Sequence, residues 1–176
     1  MPTPTLISTP GSLTANSYCT VAEGDTYHDG HLYADTWTGM STAEKTVALI
    51  MATRVLDYKV EWAHYPTNPY EEQILQWPRS GIVDLDGFST VDDAIIPWRL
   101  KEVTSEYARQ LKDSDRTADN DIKTQGITNI SAGPISLGFD QASVKVKVVP
   151  DSVVQMIPTW WGKVRGNALT WAVLRG

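Results

Sequence analysis

The chain has 176 residues, 41% apolar and 20% charged, with a formal net charge of −6 and a single cysteine. That length fits one ordinary domain with a real core and leaves no room for a second full one. No apolar run approaches a membrane span, and Met1-Pro2-Thr3-Pro4-Thr5 lacks the basic-then-apolar order of a signal peptide, so a soluble protein made in a cytoplasm is expected.

Residues 1 to 16 are rich in Pro, Thr, Ser and Gly, which predicts a flexible N-terminal arm, extended and without helix until a partner holds it. Cys19 rules out an internal disulfide. With no His or Cys ligand beside it, it is read as a small buried hydrophobe rather than a metal or redox site. Thr20-Val21-Ala22-Glu23 is a capping box, so a first helix should run from there to about Asp35, weakened at Gly24 and Gly30. Ser41-Thr42-Ala43-Glu44 repeats the signature, and Val47, Ile50, Met51, Val55 and Tyr58 follow at helical spacing as the expected core face of a second helix.

Residues 61 to 95 are broken by Pro66, Pro69, Pro78 and Asp86-Gly87, with one helical turn expected around Tyr70 to Leu75. So long an excursion is a candidate for contacts outside the domain. Pro97 fits a first helical position, and Leu100, Val103, Tyr107, Ala108 and Leu111 carry a third helix to Lys112. Ile127, Ile130, Ile135, Leu137 and Phe139 flank Ala132-Gly133-Pro134 as a hairpin, placed at about 122–148 if the alternating Val144 to Val148 is included. Pro150 and Asp151 open a short helix that Pro158 closes, and Thr159 to Gly176 has no regular period. The fold class is therefore mainly α (α+β): three main helices, a small β-hairpin and extended termini. The divisions are an arm at 1–16, a helical domain at 17–158 and a docking tail at 159–176.

Charge is unevenly placed. Residues 141 to 176 hold five basic side chains against one acid and residues 1 to 140 hold ten against twenty, so a body of −10 carries a tail of +4. Such a body is ill suited to gripping nucleic acid, whereas the tail suits an acidic partner. His28 and His31 lie near Asp25, Asp29 and Asp35, but their surroundings read as a solvated helix and no paired-ligand motif supports a metal. Ser80-Gly81 is no nucleophile elbow, and no phosphate loop is present. No catalytic residue, cofactor or metal is expected. Arg54 and Asp57, one helical turn apart, are read as a local ion pair.

Three segments carry a resemblance. Ser17-Tyr18 to His28, Lys45-Thr46-Val47-Ala48-Leu49-Ile50-Met51-Ala52-Thr53-Arg54-Val55-Leu56-Asp57, and Leu75-Gln76-Trp77-Pro78-Arg79-Ser80-Gly81 resemble, in order, the tailed-phage head-to-tail connector (adaptor) family often labelled DnaT-like single-stranded-DNA-binding. The resemblance spans about residues 17 to 112 and is poor beyond 140. It implies a mostly helical structural subunit, not an enzyme, that joins about twelve copies in a ring under the portal protein and above a downstream neck or tail protein. Double-stranded DNA would pass through the channel unbound, no membrane would be involved, and the chain would reside in the virion neck after assembly in the host cytoplasm. The alternatives are a single-stranded-DNA-binding replication accessory and a tail-completion or terminator subunit.

Partner-binding candidates follow. Trp77 and Arg79 suit an interface anchor, or else Trp77 plugs its own core while Arg79 pairs with a local acid. Trp160, Trp161 and Trp171, interleaved with Lys163, Arg165 and Arg175, would be an apolar liability on a free monomer, so they are read as covered by a neighbour or packed on the subunit's own core.

Overall fold

The computed structural model describes residues 3–68, 71–117, 129–132, 135–138 and 147–165. In chain order its elements are α1 (Val21–Asp29), α2 (Asp35–Thr38), α3 (Thr42–Lys59), β1 (Val60–Trp62), β2 (Tyr65–Pro66), β3 (Arg79–Ser80), α4 (Trp98–Asp113), β4 (Asn129–Ala132), β5 (Ile135–Gly138), α5 (Asp151–Val154) and β6 (Gly162–Val164). The architecture is mainly helical with three two-stranded antiparallel sheets, β1–β6, β2–β3 and β4–β5. Among the described residues no helix is long and apolar enough to cross a membrane.

Both capping boxes form. The Thr20 hydroxyl accepts from the Glu23 amide at 3.1 Å while Glu23 Oε2 accepts from the Thr20 amide at 2.8 Å, and Ser41 and Glu44 repeat the exchange at 3.3 and 2.9 Å. The first helix stops at Asp29, short of the expected Asp35, and a separate turn, α2, follows. The break brings Trp37 back across α1. Gly24 is what permits it, because a Cβ there would lie 2.8 Å from Trp37 Cζ2. Trp37 is 1% exposed, and its Nε1 donates to Asp25 Oδ1 at 2.8 Å, the same oxygen that holds Lys45 Nζ at 2.8 Å.

The core lies between α3 and α4, with α1 and α5 against α4. α4 buries Leu100, Val103, Tyr107 and Ala108 as expected, with Pro97 as its N-cap rather than its first residue. α3 buries part of the expected face, with Ile50 and Val55 buried and Met51 packed on the core, but is turned about its axis from the expected orientation. Leu49, Ile50, Thr53, Val55 and Leu56 face the core, whereas Val47 is 48% exposed and Tyr58 76%. Apolar residues surround this helix, so spacing alone does not choose a face; Thr53 decides it by accepting the Tyr18 amide on its hydroxyl at 3.1 Å.

Residues 3–16 run extended without helix, but the domain itself holds them. Asn16 Oδ1 accepts from the Ile7 amide, Asn16 Nδ2 donates to Thr5 O, both at 2.8 Å, and Leu6 packs on the core. Residues 71–76 form turns and no helical turn; Tyr70 lies outside the described residues. β4 and β5 pair as the expected hairpin, Ile130 opposite Leu137, and its turn at 133–134 lies outside the description, as does most of the Val144 to Val148 strand. Tyr107 Oη donates to Val148 O at 2.9 Å, fixing the approach to α5.

Candidate functional site

Asp57, near the C-terminal end of α3, is the point at which distant segments of the chain converge. Its two carboxylate oxygens take different partners: Oδ1 accepts from the Tyr18 hydroxyl and Oδ2 from the Gln76 amide at 3.1 Å. The ion pair with Arg54 does not form, because Asp57 turns inward to its partners while Arg54 stays exposed. Burial pushes the Asp57 carboxyl from 3.8 up to about 7, against the opposing pull of the Gln76 amide and the Arg79 charge.

Arg79 is 4% exposed and spends its guanidinium inside the subunit. Nε donates to Ala63 O at 2.7 Å, Nη2 to His64 O at 2.5 Å, and Nη1 to Gln76 O at 3.0 Å and Gln76 Oε1 at 3.1 Å. His64 adopts a left-handed φ of +60° between β1 and β2. A planar fork with fixed donors suits this cluster of carbonyls, where a lysine ammonium would reach fewer of them. The Trp77–Pro78 peptide bond is cis.

Trp77 is 1% exposed and lies between Trp62, at 5.6 Å between ring centroids, and Trp161, at 5.3 Å. Trp161 is itself 1% exposed and donates from Nε1 to Val83 O at 2.8 Å. Trp77 and Trp161 thus pack inside the subunit, and Arg79 is held by oxygens of Ala63, His64 and Gln76 where a local acid was the alternative expected. β6 extends this arrangement: it pairs with β1, Lys163 opposite Glu61, so the chain through Arg165 is part of the fold rather than a detached tail. Trp160 remains half-exposed although its Nε1 reaches Val83 O at 3.1 Å, and Lys163 and Arg165 are exposed. Trp171 and Arg175 lie outside the described residues.

Beside Asp57 a cleft of about 330 Å³ opens at the surface, lined among others by Tyr58, Glu61, Trp62, Arg79 and Arg165. Of the charges near it, Arg79, Lys163 and Arg165 were among the partner-binding candidates and Lys59 was not. Among the described residues Arg54, Lys59, Lys163 and Arg165 form no ion pair, while Lys45, Arg99, Lys101, Arg109, Lys112 and Lys147 each hold a carboxylate. Lys59, Lys163 and Arg165 come together where α3 runs into β1 and β6: Lys59 Nζ lies 5.6 Å from the Tyr58 ring centroid, the Arg165 amide donates to Lys59 O at 2.7 Å, and Lys163 stands opposite Glu61.

A family model described as "Putative DnaT-like ssDNA binding protein" matches residues 6–176. The chain belongs to that family. No curated protein and no solved structure matches it. Membership in the DnaT-like family reaches beyond the expected residues 17 to 112 and takes in the tryptophan-rich C-terminal segment, in keeping with the β1–β6 pairing and the burial of Trp161.

Two further expectations about this DnaT-like chain meet the structure here. Cys19 is fully buried, 3.5 Å from Ser105 Oγ, and burial pushes its thiol up to about 12. His28 is not on a solvated face: it is 1% exposed, with Nε2 3.1 Å from Ser105 O and its ring 4.6 Å from that of Trp37. Burial lowers its pKa. Among the described residues no group of three His, Cys, Asp or Glu is placed to hold a metal ion.

Sequence reasoning assigned Asp57 to an ion pair with Arg54 and missed its inward role. The available signal was its position one turn after Thr53 and next to Leu56, polar groups on a buried stretch of helix, which calls for buried partners rather than a surface ion pair.

Proposed function

We propose that the chain is a structural subunit of a tailed-phage neck: a head-to-tail adaptor that joins a ring of identical copies, binds the portal protein and extends the DNA channel toward the tail. One observation carries this reading. The three segments that resemble the connector family meet at Asp57: Tyr18 and Gln76 donate to it, and Thr53 of the same helix holds the Tyr18 amide. Segments that interlock in the interior belong to one scaffold, which supports reading the three short matches together. The reading requires no catalysis. Its remaining parts are a ring of about twelve copies, a downstream neck or tail protein, and double-stranded DNA that slides past an acidic body without being held.

A second reading, single-stranded-DNA binding, takes its support from the family's description and from the unpaired cations around the exposed Tyr58, since basic residues interleaved with aromatics are what strand binding uses. The two separate in one experiment. The purified chain is mixed with its phage's portal and examined by negative-stain microscopy, and in parallel titrated with fluorescent oligo-dT at low and high salt. The adaptor reading expects rings capping the portal and little strand binding. Tight oligo-dT binding that falls steeply with salt, together with bare portals, would replace it by the second reading.

A further inference from the structure

We propose that copies of this chain associate head to tail, the loop of residues 82–93 of one copy seating on the basic, aromatic end of α3 and β6 of the next. This rests on the adaptor reading and names the contact that reading leaves open. The loop is built as a stiff finger. Val83 bridges Thr90, the Val91 amide donates to Ile82 O at 2.8 Å, and the Asp84 amide donates to Ser89 O at 2.7 Å. At its tip Asp86 accepts from the Phe88 and Ser89 amides, both at 2.8 Å, and Gly87 supplies the left-handed φ of +76° that the turn needs.

This order is spent on presenting Phe88, 93% exposed, among Asp84, Asp86, Asp92 and Asp93, with no basic residue between positions 80 and 98. A rigid finger with an aromatic tip loses little conformational freedom on docking. A second, basic surface of the molecule answers it in charge and in chemistry. Tyr58, 76% exposed, lines the cleft beside Asp57 together with Glu61 and Arg165; Lys59 Nζ lies 5.6 Å from its ring, Arg54 stands one helical turn before it on α3, and Lys163 lies on β6 opposite Glu61, these four cations forming no ion pair among the described residues. Phe88 is nearly fully exposed on its own chain, so it does not occupy its own copy's cleft; a second copy offers the complement. Because the two patches differ, the contact is heterologous, and heterologous contacts close into rings when the rotation permits.

The test is charge reversal with rescue in the full chain. Sedimentation equilibrium at low salt should show concentration-dependent association of the wild type that weakens as salt rises. Arg54→Glu with Arg165→Glu, Asp84→Lys with Asp93→Lys, and Phe88→Ser should each weaken it by about tenfold or more, with circular dichroism unchanged. Mixing the two charge-reversed proteins should restore association. A wild type that stays monomeric, variants that associate like the wild type, or a mixture that stays apart would overturn the contact. Salt-sensitive binding of oligo-dT that Arg54→Glu with Arg165→Glu abolishes would assign the basic end to nucleic acid instead. Rings of the variants that still cap portals would reject this contact and leave the adaptor reading standing, whereas absence of rings even for the wild type would reject the adaptor reading itself.

Discussion

Trp161→Ala tests whether the C-terminal segment belongs to the core. The indole is 1% exposed, packs 5.3 Å from Trp77 and immediately precedes β6. Truncating a buried tryptophan costs about 3–5 kcal/mol, from lost transfer free energy and the cavity left behind. The hydrogen bond adds little to this, because Val83 O keeps the Trp160 Nε1 donor at 3.1 Å when Trp161 is removed. Against a stability of about 5–15 kcal/mol for an ordinary domain, the loss is a large share of the whole. With a urea slope of about 1–3 kcal/mol/M, the midpoint should fall by more than about 1 M at unchanged slope. Far-UV circular dichroism is the suitable probe, since the substitution removes a fluorophore. Trp160→Ala, at a half-exposed neighbour, is the control and should cost under about 1 kcal/mol. Equal midpoints for the two variants would refute the placement of Trp161 and, with it, the inclusion of β6 in the fold.

Three other outcomes are expected. Asp57 carries a folded-state pKa of about 7 against 3.8, so between those values the folded chain holds a proton that the unfolded chain releases, and stability falls as pH rises through that window. Urea midpoints from pH 4 to 8 should show that slope in the wild type and lose most of it in Asp57→Asn; an unchanged slope would remove Asp57 as its source. Arg79→Lys should lower stability by about 2–3 kcal/mol in thermal melts, because one ammonium cannot serve carbonyls of Ala63, His64 and Gln76 together, and a neutral result would mean that the fork is dispensable. Gly24→Ala pits a helix-propensity gain of about 1 kcal/mol against a Cβ at 2.8 Å from Trp37, and overpacking of about 1–3 kcal/mol should win, so calorimetry should show a lower melting temperature, not a higher one.

What was legible in the sequence was local. Thr20 and Glu23, and Ser41 and Glu44, mark helix starts through bonds spanning three residues, and Leu100, Val103 and Tyr107 define a face of α4 without ambiguity. The buried side of α3 was only partly legible: Ile50 and Val55 were read correctly, but Val47 and Tyr58 are as apolar as the Leu49 and Leu56 that face the core in their place. Pairing of Val60 with Val164 joins residues about a hundred positions apart, and no periodicity of either strand announces the other. For the same reason Arg54 and Asp57, one turn apart, suggested an ion pair, although the partners of Asp57 come from Tyr18 and Gln76 at sequence distances of 39 and 19. The exposed cations Lys163 and Arg165 were singled out, but their company with Arg54, Lys59 and Tyr58 exists only after β6 pairs with β1.

The most direct test of the adaptor reading is cryo-electron microscopy of the chain assembled with its own portal protein. The expected result is a closed ring of identical subunits on the portal's tail-facing side, continuing its channel, with the Trp62, Trp77 and Trp161 cluster inside each subunit. Portals that remain bare at saturating chain concentration, while the same preparation coats single-stranded DNA, would contradict it.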